Sequence, residues 1–452
     1  MSMFTIEQLK SLFPRVEGAF SEEVEIKEVY TDSRMEVEKG LFVPIIGENF
    51  DAHTFIEGAV EHGAIATLWD ESIPVPTHLK DSIMFFIVDD TIEGLQKLAT
   101  AYRKKVNPIV VGVTGSNGKT STKDLLKTVL QQKYRTYGTV GNFNNHIGLP
   151  LTILQMEQGT EMLILEMGMS DFKEIETLSN ISLPDYAIIT NIGESHIEHL
   201  GSREGIAKAK LEIKAGLKEG GLLIIDGDEV LMEKEHEQEH VLSCGFTQTN
   251  EYIVTNVDIT EEETKFFVND VPFTIPLVGK HHAQNASFVF ALAKHLHMSD
   301  EQIQAGFSAL QYSNMRFERL VGKNGVTLIN DAYNASPTSM KAAIEVMKQL
   351  KDNKRKIIVL GDILELGPYT EDLHRSIAEV IDEQIDHTLL FGESMRYLYD
   401  VLQQKGSVKH VDYFKTKDAI IQKLETYTSS DTTILFKASR GMAFEQIVEA
   451  LK

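Results

Sequence analysis

The sequence predicts an α/β protein with parallel sheets, and three observations lead to this fold class. Short apolar runs of strand length lie at residues 109–113, 162–165 and 186–189. A polar residue or a glycine-containing turn follows each run, and segments with helical periodicity separate the runs. Because strands that alternate with helices form βαβ units, the pattern indicates a parallel sheet with ligands at the carboxyl ends of its strands.

A second block of alternating strands and helices occupies the C-terminal third of the chain. Its apolar runs lie at residues 326–329, 357–360, 388–391 and 433–436. Ser336 and Pro337 suit the N-cap and the first position of a helix after the first of these runs. A length of 452 residues favours two to four domains. We expect three, at residues 1–105, 106–315 and 316–452.

Composition narrows the classes of function. Lysine and arginine number 44 against 67 acidic residues, which gives a formal net charge of −23. A surface this acidic repels nucleic acid and anionic lipid, so we expect neither as a general partner. The single cysteine, Cys244, fits a reducing cytosol, and the first residues lack the pattern of a signal peptide. No apolar run is long enough to span a bilayer, so we expect a cytosolic protein, and a monomer.

The strongest local signal is a glycine-containing loop directly after the run at 109–113. It reads Thr114-Gly115-Ser116-Asn117-Gly118-Lys119-Thr120, followed by Ser121 and a segment with helical spacing. Glycines let the backbone turn its N–H groups towards a polyphosphate, and the helix N-terminus adds partial positive charge. Lys119 would then reach the β- and γ-phosphates, and the Thr120 hydroxyl would bind Mg²⁺.

The glycine-containing loop and three further candidate residues, Glu166, His196 and Lys210, each have a simpler structural explanation as well. The strict phosphate-loop pattern requires glycine where this chain has Val113, so the loop would also suit a glycine turn with a chance Lys-Thr pair. Glu166 ends a strand, as the metal-binding acid of nucleotide-hydrolysing folds often does, yet an exposed strand end would look the same. His196 would suit a metal ligand or a hydrogen-bonded loop histidine, and Lys210 a solvated helix face.

Together with further segments, these residues resemble the Mur ligases of peptidoglycan synthesis. The phosphate loop is similar to that family's version, which also lacks the glycine at the position of Val113. The other similar segments lie at residues 31–34, 47–53, 141–150, 166–170, 331–337 and 360–367. The resemblance therefore covers nearly the whole chain.

The resemblance implies three domains with separate tasks: an N-terminal domain for the UDP substrate, a central ATP-binding domain, and a C-terminal Rossmann-like domain that binds ATP and the incoming dipeptide. It assigns substrate contacts to Ser33, Arg34, Asn142, Asn144, Asn145, Tyr333 and Asn334. It assigns contacts with ATP outside the phosphate loop to Asn285 at the adenine, and to Arg316 and Asp331 at the phosphates and ribose.

The resemblance also implies the chemistry, an ATP-dependent ligation that proceeds through an acyl phosphate. The expected substrates are UDP-N-acetylmuramoyl-tripeptide and D-alanyl-D-alanine. Two Mg²⁺ ions are expected, with Thr120, Glu166, His196 and a carbamylated Lys210 as ligands. Lys119, Glu166, His196 and Lys210 are accordingly the expected catalytic residues.

Two positions depart from the family pattern. His282 and Ser336 each stand where the family usually has asparagine.

The alternatives within the same enzyme class are another amino-acid-adding Mur ligase and a folylpolyglutamate synthase. A nucleotide-dependent regulatory switch is the alternative from another class, although it leaves Arg316 and Asp331 without a role.

Overall fold

The computed structural model describes residues 2–18, 24–47, 50–311, 315–350 and 355–452. Three larger sheets follow one another along the chain, and we call them the N-terminal, central and C-terminal sheets. The predicted α/β fold class is confirmed. Glu48 and Asn49, in the family-like segment at residues 47–53, lie outside the described residues.

The N-terminal sheet has five strands, four of them mutually parallel. In spatial order these are Val16–Glu17, Met84–Val88, Ala64–Asp70, Gly40–Phe42 and Glu28–Tyr30. Beside this sheet, Phe4–Thr5 pairs antiparallel with Glu25–Ile26. The α-helices of this part are Ile6–Leu12, Ile56–Glu61 and Thr91–Val106. The last of them leads the chain into the central sheet.

The central sheet has nine strands, of which seven are parallel and two form an antiparallel extension. From the antiparallel edge they are Val271–Ile275, Thr264–Val268, Tyr252–Ile259, Val241–Gly245, Leu222–Asp226, Tyr186–Ile189, Ile109–Thr114, Met162–Glu166 and Thr136–Gly138. Its α-helices are Lys119–Leu130, Gly148–Leu154, Glu174–Ser182, Ile197–Leu200, Arg203–Leu211, Glu233–His236, Lys280–His295 and Asp300–Ser308.

The helix after the phosphate loop forms because its apolar residues recur on one face. Leu125, Leu126, Val129 and Leu130 are fully buried in the core beside helix Lys280–His295. The preceding strand, Ile109–Thr114, lies between Met162–Glu166 and Tyr186–Ile189 and is parallel to both. The carboxyl ends of these three strands therefore meet at one edge of the sheet, as the sequence predicted.

The C-terminal sheet has six strands, of which only the first is antiparallel. In spatial order they are Glu318–Val321, Thr327–Asn330, Thr432–Lys437, Arg355–Gly361, His387–Phe391 and Val411–Phe414. The α-helices are Pro337–Gln349, Thr370–Ser376, Met395–Gln404, Lys417–Glu425 and Glu445–Leu451. Ser336 caps the first of these helices by accepting from Ser339 N at 3.2 Å, which confirms the predicted cap.

Within the described ranges, no helix has both the length and the apolar character needed to cross a membrane.

A buried arginine ties the helix that leads into the central sheet to the segment before strand Tyr186–Ile189. Arg103 is 2% exposed and donates to the carbonyl oxygens of Ser182 and Leu183 at 2.8 and 3.0 Å. We expect Arg103→Met to lower the free energy of unfolding by about 1–3 kcal/mol, because it leaves two buried carbonyl oxygens without their donor. Urea unfolding followed by circular dichroism measures the loss.

Arg135→Met is the matched control for this substitution. The Arg135 side chain is 73% exposed and pairs with Glu161 at the surface. Exposed pairs contribute at most about 1 kcal/mol, so equal losses for the two variants would contradict a special role of the buried arginine.

Candidate active site

The predicted phosphate loop joins strand Ile109–Thr114 to helix Lys119–Leu130. Gly115 and Gly118 have φ values of 151° and 81°, which residues with side chains rarely adopt. A Cβ atom on Gly115 would also lie 1.8 Å from Thr190 Oγ1. The loop conformation thus requires glycine, and the predicted strand–loop–helix context is present.

Hydrogen bonds from the loop after the neighbouring strand Tyr186–Ile189 hold the phosphate loop in place. The carbonyl and the side-chain oxygen of Asn191 accept from Ser116 N and Asn117 N at 3.1 and 2.9 Å. These bonds occupy two of the N–H groups that we expected to face a polyphosphate. The helix that begins at Lys119 has no side-chain cap, so the N–H groups of its first turn are the ones that suit an anion.

Two lysines, Lys119 and Lys210, influence each other's charge at this loop. Lys119 Nζ donates to the Gly115 carbonyl oxygen at 2.7 Å, and burial is the main cause that lowers its pKa. Lys210 is only 2% exposed, so the alternative of a solvated helix face is wrong. Burial lowers the pKa of Lys210 well below its usual value, and the charge of Lys119 lowers it further. In the described part of the chain no carboxylate pairs with Lys210, so its surroundings favour the neutral amine.

Glu166 faces into the site from the end of its strand and is 3% exposed, which rules out an exposed strand end. Its two carboxylate oxygens accept from Thr120 Oγ1 at 2.9 Å and from Asn144 Nδ2 at 2.8 Å. The Thr120 hydroxyl also accepts from an Arg316 N–H group at 3.0 Å. Carboxylate and hydroxyl oxygens therefore lie side by side, and such oxygens are the ligands that Mg²⁺ prefers.

His196 lies at the rim of the same site with its backbone in the left-handed region, at φ 62°. Its Nδ1 atom lies 2.5 Å from an oxygen of Glu365, which belongs to the C-terminal part. Burial lowers the pKa of His196; Glu365 opposes this decrease, whereas Lys119 and Lys210 add to it. The balance favours the neutral imidazole, which is the form that binds metals.

The C-terminal part supplies the opposite wall of the site. The Arg316 guanidinium lies 4.3 Å from the centre of the Tyr333 ring, which positions it for its bond to Thr120. Asp331 forms a 2.7 Å ion pair with Lys437, and Lys437 Nζ also donates to the carbonyl oxygen of Asn334 at 2.9 Å. A cation and an acid thus face the phosphate loop from across the site.

Asn285 and His282 lie on helix Lys280–His295, next to the phosphate loop. A Cβ atom on Gly118 would lie 2.8 Å from Asn285 Oδ1, so the asparagine packs directly against the loop. His282 is 8% exposed, and its ring centre lies 4.1 Å from that of His281. Burial lowers the pKa of His282 well below its usual value, so this departure from the family pattern places a neutral imidazole where an amide was expected.

These walls enclose one cavity of about 800 Å³. The residues predicted from the sequence that line it are Ser116, Asn117, Gly118, Lys119, Thr120, Ser121, Asn144, Asn145, Glu166, His196, Asn285, Arg316, Asp331, Tyr333 and Asn334. Thr114, Gly115 and Lys210 are not among the lining residues; Thr114 and Lys210 are buried behind the wall. Most of the predicted site is therefore brought together from the central and C-terminal parts.

The predicted substrate residues Ser33, Arg34 and Asn142 do not line this cavity. The Ser33 carbonyl oxygen lies 2.9 Å from His62 Nδ1, and Arg34 forms an exposed ion pair with Asp32 at 2.7 Å. Asn142 is exposed at the surface. Their roles in substrate binding stay predictions.

The residues that the sequence analysis missed include Lys437, which lines the cavity, and Glu365, which contacts His196. Lys437 is 4% exposed and ends strand Thr432–Lys437, so the same signal that pointed to Glu166, a polar residue closing an apolar run, would have found it. Glu365 gave no local signal, because an acidic residue in a loop is ordinarily a solvated one.

Comparisons with known proteins agree with this geometry. The family described as Mur ligase middle domain matches residues 113–293, and the Mur ligase, glutamate ligase domain matches residues 315–440. The UDP-N-acetylmuramoyl-tripeptide–D-alanyl-D-alanine ligase of Bacillus subtilis is 43% identical over 98% of this chain and 98% of its own length. MurF from Acinetobacter baumannii has a TM-score of 0.86 at 28% identity, covering 99% of this chain and 98% of that one. The MurF ligase of Thermotoga maritima, solved in complex with ADP, has a TM-score of 0.82 at 28% identity over 94% of this chain and 96% of that one. The chain therefore belongs to the Mur ligase family.

Proposed function

We propose that the chain is an ATP-dependent, ADP-forming ligase that joins D-alanyl-D-alanine to UDP-N-acetylmuramoyl-tripeptide in peptidoglycan precursor synthesis. One observation carries the proposal: the match to the Bacillus subtilis ligase extends over 98% of both chains. It therefore includes most of the first 112 residues, which neither family match covers. In the proposed division of labour, this N-terminal part binds the UDP moiety through Ser33 and Arg34.

The domain division at residues 1–105, 106–315 and 316–452 belongs to the same proposal. In its support, each range contains one of the three larger sheets. The phosphate loop comes from the central range, whereas Arg316, Asp331 and Tyr333 come from the C-terminal one. A site divided in this way is complete only when the two parts close on each other.

The first reaction step transfers the γ-phosphoryl group of ATP to the carboxylate of the tripeptide. A carboxylate oxygen bonds to the γ-phosphorus, the bond to the bridging oxygen breaks, and ADP leaves. Both partners are anionic, so catalysis consists largely of charge neutralisation and alignment. Lys119 and Arg316, both in the cavity wall, supply positive charge, and the uncapped helix adds N–H donors. Alignment in a closed cavity contributes on the order of 7–11 kcal/mol.

The second step is attack of the D-alanyl-D-alanine amine on the acyl phosphate. The new amide bond forms as inorganic phosphate leaves with one of the former carboxylate oxygens, and the amine loses its proton. Water would compete for the same carbon atom, so exclusion of water from the cavity protects the intermediate. The contacts of Asn117 with Ser336 and of Thr120 with Arg316, each 3.0 Å long, join the two parts beside the cavity.

The residues of the site fit Mg²⁺ when ATP is present. Thr120 and Glu166 offer oxygen ligands, and His196 offers a neutral nitrogen. Lys119 and Arg316 bring more positive charge than Glu166 balances, so the phosphates of ATP are needed to hold the cation. In agreement, the described ranges contain no cluster of three or more acidic, histidine or cysteine side chains suited to a metal. When bound, Mg²⁺ would neutralise charge on the transferring phosphoryl group.

Lys210 would complete a site for a second Mg²⁺ as a carbamate. Its amine is buried, and burial lowers its pKa and so favours the neutral form, which is nucleophilic. The nitrogen attacks the carbon of CO₂ and loses one proton, so a carbamate anion and a proton result. Carbamate formation turns a neutral buried amine into an anion, which is the better neighbour for the charge of Lys119 and for a divalent cation.

Phosphate release by the purified chain tests the proposal. We expect release with ATP, UDP-N-acetylmuramoyl-tripeptide and D-alanyl-D-alanine together, and at least tenfold less when any one of them is absent. Single amino acids and a folate with glutamate serve as the competing acceptors. Faster release with either of those would favour an alternative ligase, and hydrolysis indifferent to all of them would favour a regulatory switch.

An oxygen-18 label tests the acyl phosphate itself. When the acceptor carboxylate of the tripeptide carries ¹⁸O, one labelled atom should appear in inorganic phosphate for every amide bond formed. Label that stays wholly in the product would contradict activation by phosphoryl transfer.

A further inference from the structure

A loop of the C-terminal part contacts the central part beside the cavity, and we call residues 362–369 the docking loop. Its Glu365 carboxylate lies 2.5 Å from His196 Nδ1, and its Glu365 carbonyl oxygen accepts from Glu198 N at 3.3 Å. Further along the loop, Tyr369 donates its hydroxyl proton to the Gly201 carbonyl oxygen at 2.6 Å. The docking loop thus meets the segment that begins with a predicted metal ligand.

The docking loop is firmly attached to the C-terminal part. The Asp362 carboxylate is 93% buried and accepts from Ser394 N and Met395 N, at 3.2 and 2.8 Å. Next to it, Ile363 N donates to a ring nitrogen of His374 at 3.1 Å. Because these bonds fix the base of the loop, the C-terminal part sets the position of Glu365.

The two residues that meet at the contact between His196 and Glu365 both have unusual backbone conformations. His196 and Glu365 have φ values of 62° and 61°, in the left-handed region that favours glycine. A residue without glycine's freedom pays about 1–3 kcal/mol for such a conformation, and these residues cluster at functional sites. His196 belongs to the central part and Glu365 to the C-terminal part, and the two residues touch each other. Their shared conformation indicates that the position of these two side chains matters for function.

We propose that Glu365 is a positioning residue that orients the imidazole of His196 when the two parts close, so that the Mg²⁺ site is completed only in the closed state. The inference rests on the proposed function, because it concerns the metal of that reaction. Carboxylates that contact metal-binding histidines fix the orientation of the ring, and their loss weakens metal binding. Glu365 would do this from the part of the chain that closes.

The geometry of the contact suits orientation better than it suits stabilisation. The side chains of His196 and Glu365 are 25% and 50% exposed, so solvent screens their attraction. The Nδ1 atom also lacks an aligned hydrogen bond with any described residue, in spite of its short distance from the carboxylate. The ring therefore lies against the carboxylate without a completed hydrogen bond, and a small rotation would complete it.

The proposal is tested by measuring ATP binding by calorimetry at increasing Mg²⁺ concentrations, an experiment that does not require turnover. The variant is Glu365→Gln, which keeps the size of the side chain and removes its charge. We expect it to require about tenfold more Mg²⁺ than the wild type for half-maximal ATP binding. The matched control is Tyr369→Phe, which removes the hydrogen bond from the docking loop to the Gly201 carbonyl oxygen. Because Tyr369 does not contact His196 in this way, the control should leave the Mg²⁺ requirement unchanged.

A double variant separates orientation of His196 from other effects. In a His196→Ala background, Glu365→Gln should cause no further change, because the ring it orients is absent. An unchanged Mg²⁺ requirement in Glu365→Gln, or an equal shift in Tyr369→Phe, would overturn the role of Glu365. Failure of the wild type to release phosphate with its substrates would instead overturn the proposed function, and the Mg²⁺ comparison would still be readable.

Discussion

Replacement of Lys210 with alanine should lower kcat by about 10²–10³-fold, because it removes the carboxylate that the proposed carbamate supplies to the metal site. Short carboxylic acids such as acetate and formate should restore part of the activity by filling the space with an equivalent anion. Phosphate release, measured with and without the added acids, gives both results. The structural basis of this expectation is a buried amine whose pKa is lowered by burial and that pairs with no carboxylate of the described residues.

Lys208→Ala is the control for this prediction. Lys208 lies on the same helix, Arg203–Leu211, but is exposed to solvent, so its loss should leave kcat within about twofold of the wild type. Carbamate formation is checked independently by ¹³C NMR after incubation with ¹³C-labelled bicarbonate, which should give one carbamate signal in the wild type and none in Lys210→Ala. Full activity of Lys210→Ala, or a wild type without the signal, would remove the carbamate from the mechanism.

Replacement of Lys119 with methionine should lower kcat by a similar factor, about 10²–10³-fold. Methionine keeps the length of the side chain but removes the charge that neutralises the transferring phosphoryl group. ATP binding should weaken less than kcat falls, because the loop glycines and the uncapped helix N-terminus are unchanged. Steady-state kinetics together with calorimetric ATP binding separates the two effects.

The same substitution at Lys127 provides the comparison. Lys127 lies two turns further along helix Lys119–Leu130 and does not line the cavity. Lys127→Met should therefore behave like the wild type in both measurements. A Lys119→Met enzyme with normal kcat would show that the loop lysine does not act on the phosphates, and the proposed activation step would lose its main cation.

Ser336, one of the two departures from the family pattern, has a contact with Asn117 in addition to its role as a helix cap. Ser336 caps helix Pro337–Gln349, as its position in the sequence predicted. Its hydroxyl also donates to Asn117 Oδ1 at 3.0 Å and so joins the C-terminal part to the phosphate loop. Serine thus serves as a helix cap and as a contact between the two parts, and only the first of these roles was predictable from neighbouring residues.

The local parts of the site follow from short stretches of sequence. Gly115 and Gly118 predict the loop conformation because few other residues adopt their φ values. The apolar face of the next helix and the polar residue at the end of strand Met162–Glu166 are also readable from spacing alone. Each of these signals depends on residues that are adjacent in the chain, and the structure has the expected elements at each place.

The sequence by itself determined the α/β class, the phosphate loop with its strand and helix, and the resemblance that leads to the family. Only the tertiary structure decided that Arg316 bonds to Thr120, 196 residues away, that Lys210 is buried next to Lys119, and that Glu365 touches His196. The physical reason is that burial and charge pairing depend on how the sheets pack against each other. Nothing in the residues beside Lys210 or Glu365 in the chain records what will lie against them in space.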